Sequence, residues 1–212
     1  MWNLTAYHMI FEGFQAQSRD QFLNQNLLNS IGKVTSEGVE TELSARLGNL
    51  TLTGGGAYNR ATIDDFPNAA CFPRQTAAEG CSANVQDLSG KRLPNAPQWS
   101  FNLNTQYDIP LGRSALGAFV TAGYRWQSDV VFNLLQDPDS RQPAYGIANL
   151  GVGLRTERWK LTGFVNNVFD KAYALTMGRD VHINLPPGGN AVNWKPGRDS
   201  ARYYGVRASI SF

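Results

Sequence analysis

Few side chains in this sequence are spaced for covalent chemistry. Ser89, Gly90 and Lys91 (LSGKR) have the composition of a phosphate-cradling loop. They lack the upstream glycine and the following helix that such a loop needs, so a turn is the simpler reading. His8 and His182 are the only histidines and fall on different elements, a poor basis for a metal pair or a catalytic triad. Asp64 with Asp65, and Asp137 with Asp139, offer oxygen ligands that calcium could use. Paired acids in polar loops ordinarily just stay hydrated. The run Gly54, Gly55, Gly56 has no βαβ context for a dinucleotide site and suits a strand that needs small positions. No enzyme, cofactor or resident metal is expected.

Cys71 and Cys81 sit ten residues apart in AACFPRQTAAEGCSA. In a polar loop rich in Pro, Ala and Gly they read as a local disulfide made in an oxidising compartment, with two free thiols as the alternative. The chain has 212 residues, 17% of them charged, against about 25% in soluble globular domains. Its 21 glycines and 11% aromatics suit a β-rich protein. A formal charge of +2 with scattered Lys and Arg leaves no nucleic-acid footprint. No stretch approaches the roughly 18 consecutive apolar residues of a membrane helix. MWNLTAYHMIF lacks the basic start, apolar run and cleavage site of a secretory signal. Either the protein is cytoplasmic or the chain begins partway through a longer one, and the strand pattern below favours the second.

The elements that must carry these residues alternate in polarity. Val39, Thr41, Leu43, Ala45 and Leu47 oppose Glu40, Glu42, Ser44 and Arg46. Trp99, Phe101, Leu103, Thr105 and Tyr107 oppose Ser100, Asn102, Asn104 and Gln106. The same period-two pattern runs through LTLTGGGAY, LGAFVTAGYRW, ANLGVGLR and the closing RYYGVRASISF. WNLTAYHMIFEGFQAQ and KLTGFVNNVF are less regular but β-like, which makes eight candidate strands and no competing helical stripe.

The connections alternate too. Short turns are expected around Gly48 and Asn49, Pro110 to Ser114, and Thr156 to Arg158. Long loops are expected from about Ser18 to Ser30, Phe66 to Arg92, Gln136 to Ala144, and Gly178 to Asp199. An up-and-down sheet then has its turns at one end and its loops at the other, the layout of an outer-membrane β-barrel. Glu40, Glu42, Arg46, Arg125, Arg155 and Arg207 on the polar faces would be costly in a dry core but fit a wet lumen. The apolar faces would meet lipid, with Trp99, Tyr107, Tyr124, Trp126, Trp159 and Tyr204 in interfacial girdles. A soluble β-barrel binding module would alternate as well, yet would seldom combine such charges with such lopsided loops.

Four segments resemble TonB-dependent outer-membrane receptors. GKVTSEGVETELSARL is similar to a G-x-E-x-E strand of that family, and LSGKRLPNAPQWSFNLNTQYDIPL to its L-P-x-A-P segment after a long external loop. FVNNVFDKAYAL resembles the N-L-F-D-K-x-Y segment, here Asn167 to Asp170, Lys171 and Tyr173. GRDSARYYGVRASISF looks like the closing strand ending in Phe. Asp170 and Lys171 are read as a structural pair fixing the turn into the next loop.

The resemblance implies an all-β, antiparallel, up-and-down transmembrane β-barrel, with residues 1–212 as the C-terminal portion of one of about 22 strands and no plug domain in the chain. It implies a Gram-negative outer-membrane receptor for TonB-energised uptake of a scarce nutrient such as a ferric siderophore. Haem, cobalamin and some oligosaccharides are other ligands of the family. The implied partners are outer-membrane lipid, the TonB complex through the plug, the barrel assembly machinery and the nutrient itself. A free-standing eight-stranded barrel with a structural or adhesive role is the alternative. Arg179, His182, Trp194 and Arg198 are expected to stack against or pair with an anionic ligand, or else only to order their loop. Tyr204, Val206, Ala208, Ile210 and Phe212 form the expected C-terminal assembly-signal strand.

Overall fold

The structure, a computed structural model, describes residues 1–20, 25–112, 115–179 and 191–211. Eight antiparallel strands form one sheet in chain order. They are β1 (Trp2–Asp20), β2 (Gln25–Leu47), β3 (Leu50–Asp65), β4 (Trp99–Pro110), β5 (Gly117–Gln127), β6 (Tyr145–Arg155), β7 (Trp159–Asn166) and β8 (Tyr203–Ile210). Among the described residues β1 and β8 do not pair with each other, so the sheet is an open arc of barrel wall.

The convex face is apolar and open. Leu43, Leu103, Leu150, Val152, Leu161, Val206 and Ile210 are all exposed, a pattern that water would penalise and lipid rewards. Aromatics cluster on the same face. Tyr58 lies 4.6 Å from Trp99 between ring centroids, and Phe101 stacks on Trp126 at 5.6 Å. The short turns are compact. Gly48 takes a positive φ of 59°, and Thr156 Oγ1 accepts hydrogen bonds from the Arg158 and Trp159 amides at 3.3 and 3.2 Å.

The concave face is mostly polar, with two apolar zones that shape the wall and its outer end. Phe119 points inward from β5 and is fully buried, with the Lys160 ammonium 4.4 Å from its ring centroid. Gly153 on β6 makes that possible, because a Cβ there would overlap both the Phe119 ring and the Leu161 carbonyl oxygen. The second apolar zone is at the outer end of β1 to β3. Ile31, Val34 and Ile63 are covered by Ala69, Leu88 and Leu134 from the long loops, with Phe66 and Leu93 packed alongside. The loops therefore fold inward over the mouth, and the largest buried apolar cluster among the described residues lies there, where water rather than lipid drives burial.

Several expected boundaries shift. Most of the loop expected from Ser18 to Ser30 is strand, since Ser18 pairs with Leu27 and Asp20 with Gln25. Backbone pairing above the membrane needs no apolar face, so the polar sequence there gave no strand signal. The expected strand KLTGFVNNVF stops at Asn166, because Asn167 and Asp170 take positive φ angles of 51° and 52° and turn the chain. The loop expected from Gly178 to Asp199 contains a hairpin arm, Ala174–Arg179 paired with Val192–Pro196. Phe212 lies outside the described residues. The neighbouring Ser211 amide bonds the Arg158 carbonyl at 2.8 Å, which sets the end of β8 beside a short turn.

Replacing Gly153 by alanine should therefore displace Phe119 and weaken the wall by about 1–3 kcal/mol. The temperature at which the folded, heat-modifiable gel band disappears should fall, whereas Gly178→Ala, where open space surrounds the site, should leave it unchanged.

Candidate ligand-facing surface

Two cross-strand ladders at mid-height shape the concave wall. One runs Glu40, Ala57, Ser100, Gln127, Tyr145, and the next runs Glu42, Gly55, Asn102, Arg125, Ile147. Strand alternation puts both rows on the inward side, and the small residues at their centre flatten the floor between the glutamates and Arg125. The result is a concavity of about 940 Å³.

Arg125 also holds the last loop. Its Nη2 donates to the Tyr173 hydroxyl at 2.7 Å, its guanidinium sits 5.3 Å over the Tyr173 ring, and Asp199 lies 3.6 Å away. Tyr173 stacks on Tyr145 at 4.5 Å and with it covers Ile147. Gly197 leaves the space that the Tyr173 ring fills. Asn167, fully buried, ties both ends of this loop together. Its amide nitrogen donates to the Lys171 and Asp199 carbonyls at 3.0 and 2.9 Å, and its side-chain oxygen accepts from the Lys171 amide at 2.8 Å. Asp170 accepts the Arg202 amide at 2.7 Å, closing the base of the loop.

Arg179 is sequestered. Its Nε and Nη2 each reach an oxygen of the buried Asp137 at 3.1 Å. Asp139 Oδ2 is 2.9 Å from the same guanidinium, a charge contact out of hydrogen-bond alignment. The Asp137 hydrogen bonds raise the pKa of Arg179 above its usual range, helped by the charges of Asp137 and Asp139 and opposed by burial. Asp137 is thus withdrawn from water, and both it and the partly exposed Asp139 are engaged by Arg179. The expectation of a paired anionic ligand on Arg179 meets two protein carboxylates instead. Trp194 and Arg198 remain exposed, and His182 lies outside the described residues.

The long loops are also fastened to one another. Cys71 and Cys81 are joined in a disulfide, with Cα atoms 5.8 Å apart. Gln86 of that loop donates to the Leu135 carbonyl at 3.0 Å, and Gln136 donates back to the Arg92 carbonyl at 3.0 Å. Asp129 bridges Arg92 at 2.6 Å and Arg141 at 3.0 Å. Burial alone would raise the Asp129 pKa, but the hydrogen bonds and charges of Arg92 and Arg141 outweigh it and hold the carboxyl below the usual aspartate range. Ser89 to Lys91 form a turn, with Gly90 at a φ of 79° and the Ser89 hydroxyl accepting the Phe66 amide at 3.0 Å.

Residues 1–168 match the family described as TonB dependent receptor-like, beta-barrel. The chain belongs to that family. Its relatives are receptors and transporters, not enzymes. Three solved structures share its fold. The ferric yersiniabactin uptake receptor FyuA from Yersinia pestis superposes with a TM-score of 0.67 at 18% identity, covering 100% of this chain and 27% of its own. The siderophore receptor PiuA from Acinetobacter baumannii gives 0.63 at 16% identity, covering 98% and 25%. The copper transporter OprC gives 0.61 at 18% identity, covering 100% and 29%. This TonB-dependent receptor barrel segment thus spans about a quarter of the length of the solved proteins it matches.

Sequence reasoning had placed Asn167 and Tyr173 in a family-like motif but gave neither a role. Nothing in the alternation marks Arg125 as a loop anchor or Arg179 as the centre of an ion cluster, since both depend on contacts 40 or more residues apart in the chain.

Asn167→Ala should unpair three backbone groups at once and destabilise the last loop by about 3 kcal/mol, given about 1–3 kcal/mol for each buried unsatisfied group. Limited proteolysis within residues 167–202 should accelerate while the sheet stays intact. The depressed Asp129 carboxyl stabilises the loops above its unfolded pKa, and that contribution is lost as pH falls below about 4. Partial exposure of its partners limits the effect to about 1 kcal/mol. Asp129→Asn should remove this part of the pH dependence of loop protection from protease.

Proposed function

We propose that the chain is the C-terminal wall of an outer-membrane receptor of a Gram-negative bacterium. The receptor captures a large, scarce nutrient at its mouth and imports it with energy relayed through TonB. The observation that carries this reading is the combination of an exposed apolar convex face with long loops folded inward above an open polar concavity. Such a wall is built to sit in lipid and to leave its inner face to cargo or to a plug. The open sheet supports a segment of a larger barrel rather than a self-closed one, because an unpaired strand edge in hydrocarbon leaves amides without partners.

Ferric siderophores are the proposed cargo class. Support comes from the family and from the fold shared with receptors such as FyuA and PiuA, although a copper transporter shares the fold too. Trp194 and Arg198 are the proposed ligand contacts on the outer loops. Arg179 is proposed to act indirectly, by holding the Ala174–Arg179 arm against Asp137.

Uptake of radiolabelled ferric siderophore by cells whose only receptor is the full-length protein tests this. Uptake should vanish when TonB is deleted. Trp194→Ala with Arg198→Ala should weaken binding about tenfold while the amount of folded receptor is unchanged. Wild-type uptake without TonB would refute energised transport. Undiminished binding by the double variant would refute the loop contacts.

A further inference from the structure

The outer ends of β7 and β8 carry an arrangement that neither the wall nor the loop network accounts for. Both strands have 8 residues. At ~3.3 Å per residue and a tilt of ~40° they rise ~20 Å, close to the ~25 Å apolar band of such barrels. Trp159 marks the inner end and Tyr204 the outer one on the lipid-facing side, as interfacial aromatics should, while Tyr203 turns to the concave side against Phe164. The rim at Asn166 and Tyr203 therefore lies at the outer boundary of the hydrocarbon. Four exposed side chains gather there. Tyr204 is 82% exposed on the lipid-facing side of β8, and Phe169 is 75% exposed just beyond β7. Lys171 and Arg202 are exposed beside them, brought together when Asp170 accepts the Arg202 amide.

The inward side of this joint is packed by Asn167 and Tyr173, so an open Phe169 does not belong to it. Neither Lys171 nor Arg202 has an acid partner for its side chain among the described residues. Asp170 is occupied with a backbone amide, and Asp199 with the Tyr203 hydroxyl and Arg125. Two cations with no acid partner among the described residues, neighbours along the chain of two open rings at headgroup height, have the chemistry of an anionic amphiphile's binding site. We propose that this rim binds the phosphorylated headgroup of an outer-leaflet lipid, with Lys171 and Arg202 on the phosphate and Phe169 and Tyr204 along the first methylenes. The proposal rests on the membrane-embedded reading above but not on any transported ligand.

The test uses the full-length receptor in neutral detergent and native mass spectrometry with added phosphatidylglycerol or phosphatidylcholine. The wild type should retain phosphatidylglycerol at least about fivefold better. Lys171→Gln with Arg202→Gln should abolish that preference, Phe169→Ala should reduce retention, and Lys171→Arg with Arg202→Lys should preserve it. Equal retention of both lipids by the wild type, or an unchanged preference in the glutamine variant, overturns the proposal. So does displacement of the lipid by millimolar inorganic phosphate, which would mark a site for the free anion. A heat-modifiable gel band, scored on every variant, reports barrel insertion separately from lipid retention. Loss of that band in the wild type would sink the membrane reading itself.

Discussion

A strand that crosses hydrocarbon has no water to bond its amides, so every N–H and C=O must be answered by the strand beside it. The ladder through all eight strands follows from that need, and the remaining features are arranged around it. Because pairing fixes side chains alternately in and out, polarity on one face and apolarity on the other come from single-residue choices along each strand. Ladder pairing also explains the glycines that accept an aromatic neighbour. Phe119 can lie flat across β6 because Gly153 presents no side chain, so bulk enters the wall without moving the backbone.

Outside the bilayer a different force takes over. The outer ends of β1 to β3 and the loops above them bury Ile31, Val34, Ile63, Leu88 and Leu134 against water, as a soluble domain would. Charged groups there are paired across loops instead of along a strand, as with Arg179 on Asp137 and Asp129 between Arg92 and Arg141. The receptor segment is thus a lipid-facing sheet bonded to a small water-facing cap, and the two parts meet at the concave belt from Glu40 to Arg125.

The sheet was legible because lipid enforces period two along most of β2, β4, β5, β6 and β8, and short turns announce themselves by Gly48 and by Thr156. What the alternation could not show is where the membrane stops mattering. Residues 18–20 and 25–30 pair like any strand while their sequence reads as loop. Likewise the type of Arg179 left open whether it meets a ligand or orders its loop, since the carboxylates it pairs with lie 40 and 42 positions away. A cation in an external loop looks available to a ligand until the fold supplies an anion.

The unequal strands give the outer edge of this wall a slope. With 19 and 23 residues, β1 and β2 are between about two and three times as long as the 8-residue β7 and β8. One flank stands as a parapet well clear of the bilayer, and the other ends as a sill at its surface. On the sill side the chain continues outward in the Ala174–Arg179 and Val192–Pro196 arm, on the parapet side in the sheet itself. Within this segment the height of the rim is therefore set by strand length on one flank and by loop folding on the other.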